Sequence, residues 1–262
     1  MYNVIVAENA LLENEVQVIT GEREGNNRAD FLRASETAGV ILDGLGLQGF
    51  QLGGGAVDFA LGRYRRPHGD IDVVYVVDSA TWGGFLKNPR SIPAERSSLL
   101  LITQEPELCE VKQTRPIEME KMGAPGVRME GGDFPITADF VEAYRDTIEG
   151  EEFIILPLYD GTSYIKIPQA ELRVAEIDGI RTVVPSPEVQ FILKAQMIDT
   201  LVSLKAGLLP DRRGKAKIDI ADLGKVADEQ KIKDLKRKGV GFNLSPISAA
   251  RFISSQLLGA II

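Results

Sequence analysis

Two carboxylates, Asp70 and Asp72, stand two residues apart at the head of Ile71-Asp72-Val73-Val74-Tyr75-Val76-Val77, the most β-prone stretch of the chain. Side chains alternate along a strand with period two, so both acids point to one face. Carboxylates held that close repel each other, and a cation between them relieves the repulsion, which makes a divalent metal the natural third party. Mg²⁺ favours carboxylate and phosphate oxygens in octahedral geometry and keeps several waters. The pair therefore asks for a phosphorylated substrate. Upstream, Gly53-Gly54-Gly55 precedes the short helical segment Ala56–Leu61, and bare amides at a helix start attract phosphate. Arg63, Arg65, Arg66 and His68 add cationic donors in between. A phosphate cradle, a cluster of bases and a carboxylate pair in this order are the parts of a nucleotidyl-transfer site. The competing structural reading is a plain turn followed by exposed strand-end acids.

These residues need elements to hold them. Apolar spacing predicts a helix over Asn27–Leu42, a turn at Gly44-Leu45-Gly46-Leu47-Gln48-Gly49 and a short strand at Phe50–Leu52. The turn is a literal GxGxxG, but more glycines follow within six residues, whereas a dinucleotide fingerprint must open a long helix. Further strands are expected at Ile71–Val77, Leu99–Thr103, Ile136–Val141, Phe153–Leu158, Tyr164–Ile167 and Thr182–Val184. After Pro185-Ser186-Pro187 the period changes: Val189, Ile192, Leu193, Met197, Leu201 and Leu204 share a helical face, and Ile220–Leu235 and Ile247–Leu258 also read as helices. The expected organisation is an α/β domain over 1–185 and a helical domain over 186–262. The segment 80–133, rich in Pro, Gly and charge, is left unplaced.

Composition narrows the class. The chain has 262 residues, 44% hydrophobic and 26% charged, which excludes disorder, collagen and coiled coil. No apolar run approaches the roughly 20 residues that a membrane-spanning helix needs. Met1–Glu8 shows no basic stretch leading into an apolar one, so the sequence predicts no secretory leader and a cytoplasmic location. The single Cys109 and single His68 exclude an intramolecular disulfide, a Cys-rich zinc site and a histidine-based triad. The net charge of −8 repels nucleic acid in bulk and favours cationic partners, although Lys205–Lys238 concentrates eleven bases, both ends included, in one stretch that can face an anion.

The run Gly53-Gly54-x-Ala56-x-Asp58-x-x-Leu61-Gly62-Arg63-x-x-Arg66-x-His68-x-Asp70-Ile71-Asp72 resembles the signature of the DNA polymerase β-like nucleotidyltransferase superfamily. It is most similar to the aminoglycoside nucleotidyltransferase group that modifies a 2″-hydroxyl, and to related toxin-like transferases. The resemblance implies an α+β fold, a mixed-sheet nucleotidyltransferase core followed by a helical C-terminal domain. It implies Mg²⁺ and an NTP, ATP first, as co-substrate. Asp70 and Asp72 match the metal-binding pair, and a third carboxylate on a later strand serves as metal ligand or general base. Asp139 within Ile136–Val141 is the choice for that role, with Asp133, Glu142 and Asp146 as substitutes. Gly53, Gly54, Arg63, Arg66 and His68 are carried over as nucleotide contacts, with His68 equally readable as a histidine that bonds the loop backbone. The family's tail is matched by Ser186-Pro187-Glu188 with Lys194, then Arg213-Gly214-Lys215 with Asp219, Asp222 and Leu223, which puts Lys194 and Lys215 at the triphosphate. The chain departs from the resistance enzymes in segment 80–133, at Gly55, where they tend to carry an aromatic residue, and at Arg65 and Pro67.

The function expected is transfer of a nucleoside monophosphate, AMP first, to a hydroxyl of a small molecule such as an aminoglycoside, an antibiotic-resistance chemistry. Two alternatives stand beside it: a toxin-like transferase acting on tRNA or protein, and a catalytically silent NTP-binding module. No membrane partner is expected, and the oligomeric state is open.

Overall fold

The computed structural model describes residues 27–77, 113–117, 126–157, 163–203 and 210–243. The expected strand at 99–103 and helix at 247–258, and most of segment 80–133, lie outside them.

Helix α1 covers residues 27–44 and turns through Leu45 and Gly46 into β1 (Gln48–Leu52). Helix α2 (Gly53–Ala60) follows with no intervening residue, and β2 (Asp70–Val77) returns antiparallel to β1 with Leu52 opposite Asp72. The first helix, its glycine turn and the strand–glycine–helix–strand unit are as the sequence predicts, except that the three glycines form the first turn of α2 instead of preceding it.

Strands β3 (Gln113–Ile117) and β4 (Gly126–Gly131) form an antiparallel pair, and β4 pairs with β5 (Phe134–Ile148). The first half of β5 lies between β4 and β2, parallel to β2; its end turns to β6 (Glu151–Pro157), antiparallel. Strand β7 (Tyr164–Pro168) pairs with β6, and β10 (Gly241–Asn243) with β7, giving the order β1-β2-β5-β6-β7-β10, with β4 and β3 branching from β5. A 3₁₀ turn at Gln169–Glu171 leads to the separate hairpin β8 (Leu172–Ile177) and β9 (Ile180–Pro185). Two hairpin turns, Glu149-Gly150 and Asp178-Gly179, have positive φ at both residues, the geometry whose twist suits a two-residue loop.

Ser186 accepts from the Val189 amide at 3.4 Å and opens α3 (Pro187–Ser203). Helices α4 (Pro210–Leu223) and α5 (Glu229–Arg237) replace the single helix expected over 220–235. The chain turns at Gly224, and Asp228 caps α5 by accepting from the Lys231 amide at 2.9 Å. Beyond α5, β10 (Gly241–Asn243) pairs antiparallel with β7, so the segment after 185 returns a strand to the sheet.

The sheet is covered on both faces, which makes the fold mixed α+β. Phe50, Leu52, Val74, Val76 and Val141 pack against Val189 and Ile192 of α3 and Ile232 and Leu235 of α5. On the other face, Ile71, Val73 and Phe140 meet Phe31 and Ile41 of α1, Phe59 of α2, and Ile177 and Val184 of the hairpin. No helix among the described residues is long and apolar enough to cross a membrane.

Candidate nucleotide and metal site

Parallel pairing sets Asp72 level with Asp139 and Asp70 level with Thr137. Level residues of paired strands share a face, so Asp70, Asp72 and Asp139 point the same way. The substitutes for the third acid are placed elsewhere. Asp133 sits in the β4–β5 turn with Arg33 Nη2 at 2.6 Å. Glu142 is buried on the opposite face and accepts from the Tyr75 hydroxyl at 3.1 Å and the Tyr144 hydroxyl at 2.5 Å. Asp146 lies near the far end of β5, opposite Phe153.

The glycines are explained by what stands against them. Gly53 has φ +75°, and a Cβ there would collide with Asp72 Oδ2. A Cβ on Gly54 would collide with Arg66 Nη2, and one on Gly55 would lie 2.6 Å from Phe31 Cε2. Phe31 thus takes the space that an aromatic residue at position 55 requires. The Leu52 N-cap of α2 makes no side-chain hydrogen bond, so the amides of the first turn have no side-chain capping group.

Loss of water around it, then Asp70 and Asp139, push the Asp72 carboxyl up to about 7, with Lys194 and Arg128 pulling the other way. This residual negative charge is what a divalent cation would neutralise, so the Asp70–Asp72 pair fits one. Among the described residues no three His, Cys, Asp or Glu side chains close into a metal site. Asp139 is held bidentate by Arg128 of β4, directly opposite it in the register. Arg128 escaped the sequence reading because β4 fell in the unplaced segment. The alternation of buried Val127 and Met129 about it is the signal that marks the strand.

A second set of charges lies behind the glycine turn. Asp58 of α2 is fully buried and receives Arg65 Nε at 2.7 Å, the Arg65 amide at 2.9 Å and His68 Nε2 at 2.9 Å. Arg65 also reaches Asp219 of α4 through Nη2 at 2.8 Å and Asp222 through Nη1 at 3.2 Å. Lys194 of α3 meets Asp219 Oδ2 at 3.0 Å, and Arg66 Nη2 lies 3.7 Å from the same oxygen. Burial opposes its ionisation, yet Lys194 and Arg65 hold the Asp219 carboxyl below its usual range.

The expected nucleotide contacts divide accordingly. Gly53, Gly54 and Arg66 stand at the carboxylate end of β2. Lys194 is paired with Asp219, and its charge also acts on Asp72. Arg63 is exposed in the turn after α2, and Lys215 is exposed one helical turn before Asp219. His68 lies behind the glycine turn. Its ring is buried, bonded to Asp58 and packed 4.6 Å from Phe31, and its backbone exchanges hydrogen bonds with the Asn27 side chain.

No family model matches the chain, and no curated protein matches it. Solved structures do. The antibiotic-resistance factor ANT(2″)-Ia is similar at 17% identity over 81% of this chain and 91% of that one, with a TM-score of 0.47. The lincosamide antibiotic adenylyltransferase LnuA is similar at 14% identity over 71% and 92%, with a TM-score of 0.39. An antigenic nucleotidyltransferase-like protein from Paracoccidioides brasiliensis is similar at 15% identity over 80% and 87%, with a TM-score of 0.41.

Proposed function

We propose that this protein is a metal-dependent nucleotidyltransferase that moves a nucleoside monophosphate, AMP from ATP in the first instance, to a hydroxyl of a small cationic molecule of the aminoglycoside kind. The observation that carries the reading is the meeting of Asp70, Asp72 and Asp139 on one sheet face with the uncapped glycine turn of α2, where Gly53 has no room for a Cβ beside Asp72. Asp70 and Asp72 would hold Mg²⁺, which when bound neutralises charge on the α-phosphate and the leaving pyrophosphate. The amides of Gly53 and Gly54, with Arg66 and Lys194, bind the phosphates, and Arg63 and Lys215 stand at the rim. Asp139 takes the acceptor hydroxyl's proton, and Arg128 must release it to do so. The acidic net charge of −8 suits a cationic acceptor.

The test is pyrophosphate release with Mg²⁺, each of the four NTPs and pooled aminoglycosides. Release by the wild type and none by Asp70→Asn is the expected result. Equal rates in the two proteins remove Asp70 from the reaction and the reading with it.

A further inference from the structure

Asp219 is a fully buried carboxylate on α4 that three cations approach: Arg65, Lys194 and Arg66. Arg65 is spent on acids from two parts of the chain, Asp58 on α2 and Asp219 and Asp222 on α4. Its side chain is only 7% exposed, so it meets no solute. Among the described residues Lys194 pairs with Asp219 Oδ2, and its charge is felt at Asp72. Among the described residues Arg66 makes one long pair, and its Nε is buried without a hydrogen-bond partner. The cluster thus runs from a saturated arginine, through one carboxylate, to two cations whose charge is incompletely matched on the side of the glycine turn.

We propose that Asp219, clamped by Arg65, is the positioning residue that aims Lys194 at the phosphate site. Neither Asp219 nor Arg65 touches the nucleotide itself. This rests on the nucleotidyl-transfer reading. The physical argument is that a lysine on four rotatable bonds is a poor fixed contact unless something holds its ammonium. With Asp219 neutral, the Lys194 ammonium loses its paired carboxylate while its charge still acts on Asp72. It then competes for the carboxylates that the metal needs, instead of standing beside them. The same clamp ties the α2–β2 loop to α4, so the direction of Lys194 is set by both halves of the chain.

Calorimetry of α,β-methylene-ATP binding in Mg²⁺ tests this for the wild type, Asp219→Asn, Lys194→Ala and the double variant, with folding checked by circular dichroism. Asp219→Asn is expected to weaken binding about tenfold, and the double variant to bind no more weakly than Lys194→Ala alone, because Asp219 acts through Lys194. Asp219→Glu should recover part of the loss. Losses that multiply in the double variant, or an Asp219→Asn protein that binds like the wild type, would make the carboxylate merely structural. Should Asp219→Asn fail to fold, Arg65→Lys serves in its place, since an ammonium cannot reach Asp58, Asp219 and Asp222 together, and the same non-additivity is expected. A wild type that binds no nucleotide overturns the nucleotidyl-transfer reading, a result distinct from multiplying losses.

Discussion

Gly53 and Asp72 constrain each other: the backbone at 53 is left-handed, at φ +75°, and Asp72 Oδ2 fills the space of a Cβ. Gly53→Ala therefore meets both a backbone cost of about 1–2 kcal/mol and a carboxylate that must move. Turnover is expected to fall at least tenfold, and wild-type turnover in that variant would detach the glycine turn from the reaction. Asp72 also gives a pH signature. Between the ordinary carboxylate pKa of about 4 and about 7, the metal-free folded protein keeps a proton on Asp72 that the unfolded chain has released. The native state then binds more protons, so stability falls as pH rises through this window. Asp72→Asn should flatten that slope in chelator and raise the melting temperature at pH 8, while abolishing transfer. An unchanged pH profile would mean that burial and the neighbouring acids do not raise Asp72.

At the level of elements, β5 is the strand on which the site depends. It brings Asp139 level with Asp72, and only its Ile136–Val141 portion was legible, because alternation was clear there. Its extension to Ile148 and its partner β4 were hidden by irregular composition, and Arg128 with them. The Asp178-Gly179 turn of the β8–β9 hairpin carried a readable Asp-Gly signal, although only Thr182–Val184 stood out as β-prone. Helix α3 was legible from its apolar period, but not the core it shares with the sheet. Ile192 is fully buried against that core, so Ile192→Ala is expected to cost about 2–5 kcal/mol. The loss should appear in a single unfolding transition that includes the sheet. A two-step transition with the sheet unaffected would mean that the segment after 185 folds on its own. Gly241, at φ +114° and without room for a Cβ beside Gln196, makes a second check, since Gly241→Ala should loosen β10 from β7 and lower stability with little effect on nucleotide binding.

Over the whole molecule, the carboxylate pair was readable because strand period alone puts Asp70 and Asp72 on one face. The buried cluster of Asp58, Arg65 and Asp219 was not, because its members are up to 161 residues apart in sequence and meet only through the packing of α4 on the α2–β2 loop. Charge then decides between acceptors. A small cationic acceptor gives an affinity that falls gently with salt, whereas a tRNA that neutralises several phosphates on the Lys205–Lys238 stretch gives a steep fall. A steep slope in transfer rate between 50 and 200 mM salt, chosen as the ordinary range for such effects, would favour the polynucleotide acceptor. The most direct measurement is mass spectrometry of the acceptors after incubation with Mg²⁺, the four NTPs, a panel of aminoglycosides and bulk tRNA, with Asp70→Asn alongside. A gain of one nucleoside monophosphate on an aminoglycoside, absent with the variant, is the predicted result. A gain on tRNA alone, or on nothing, would contradict it.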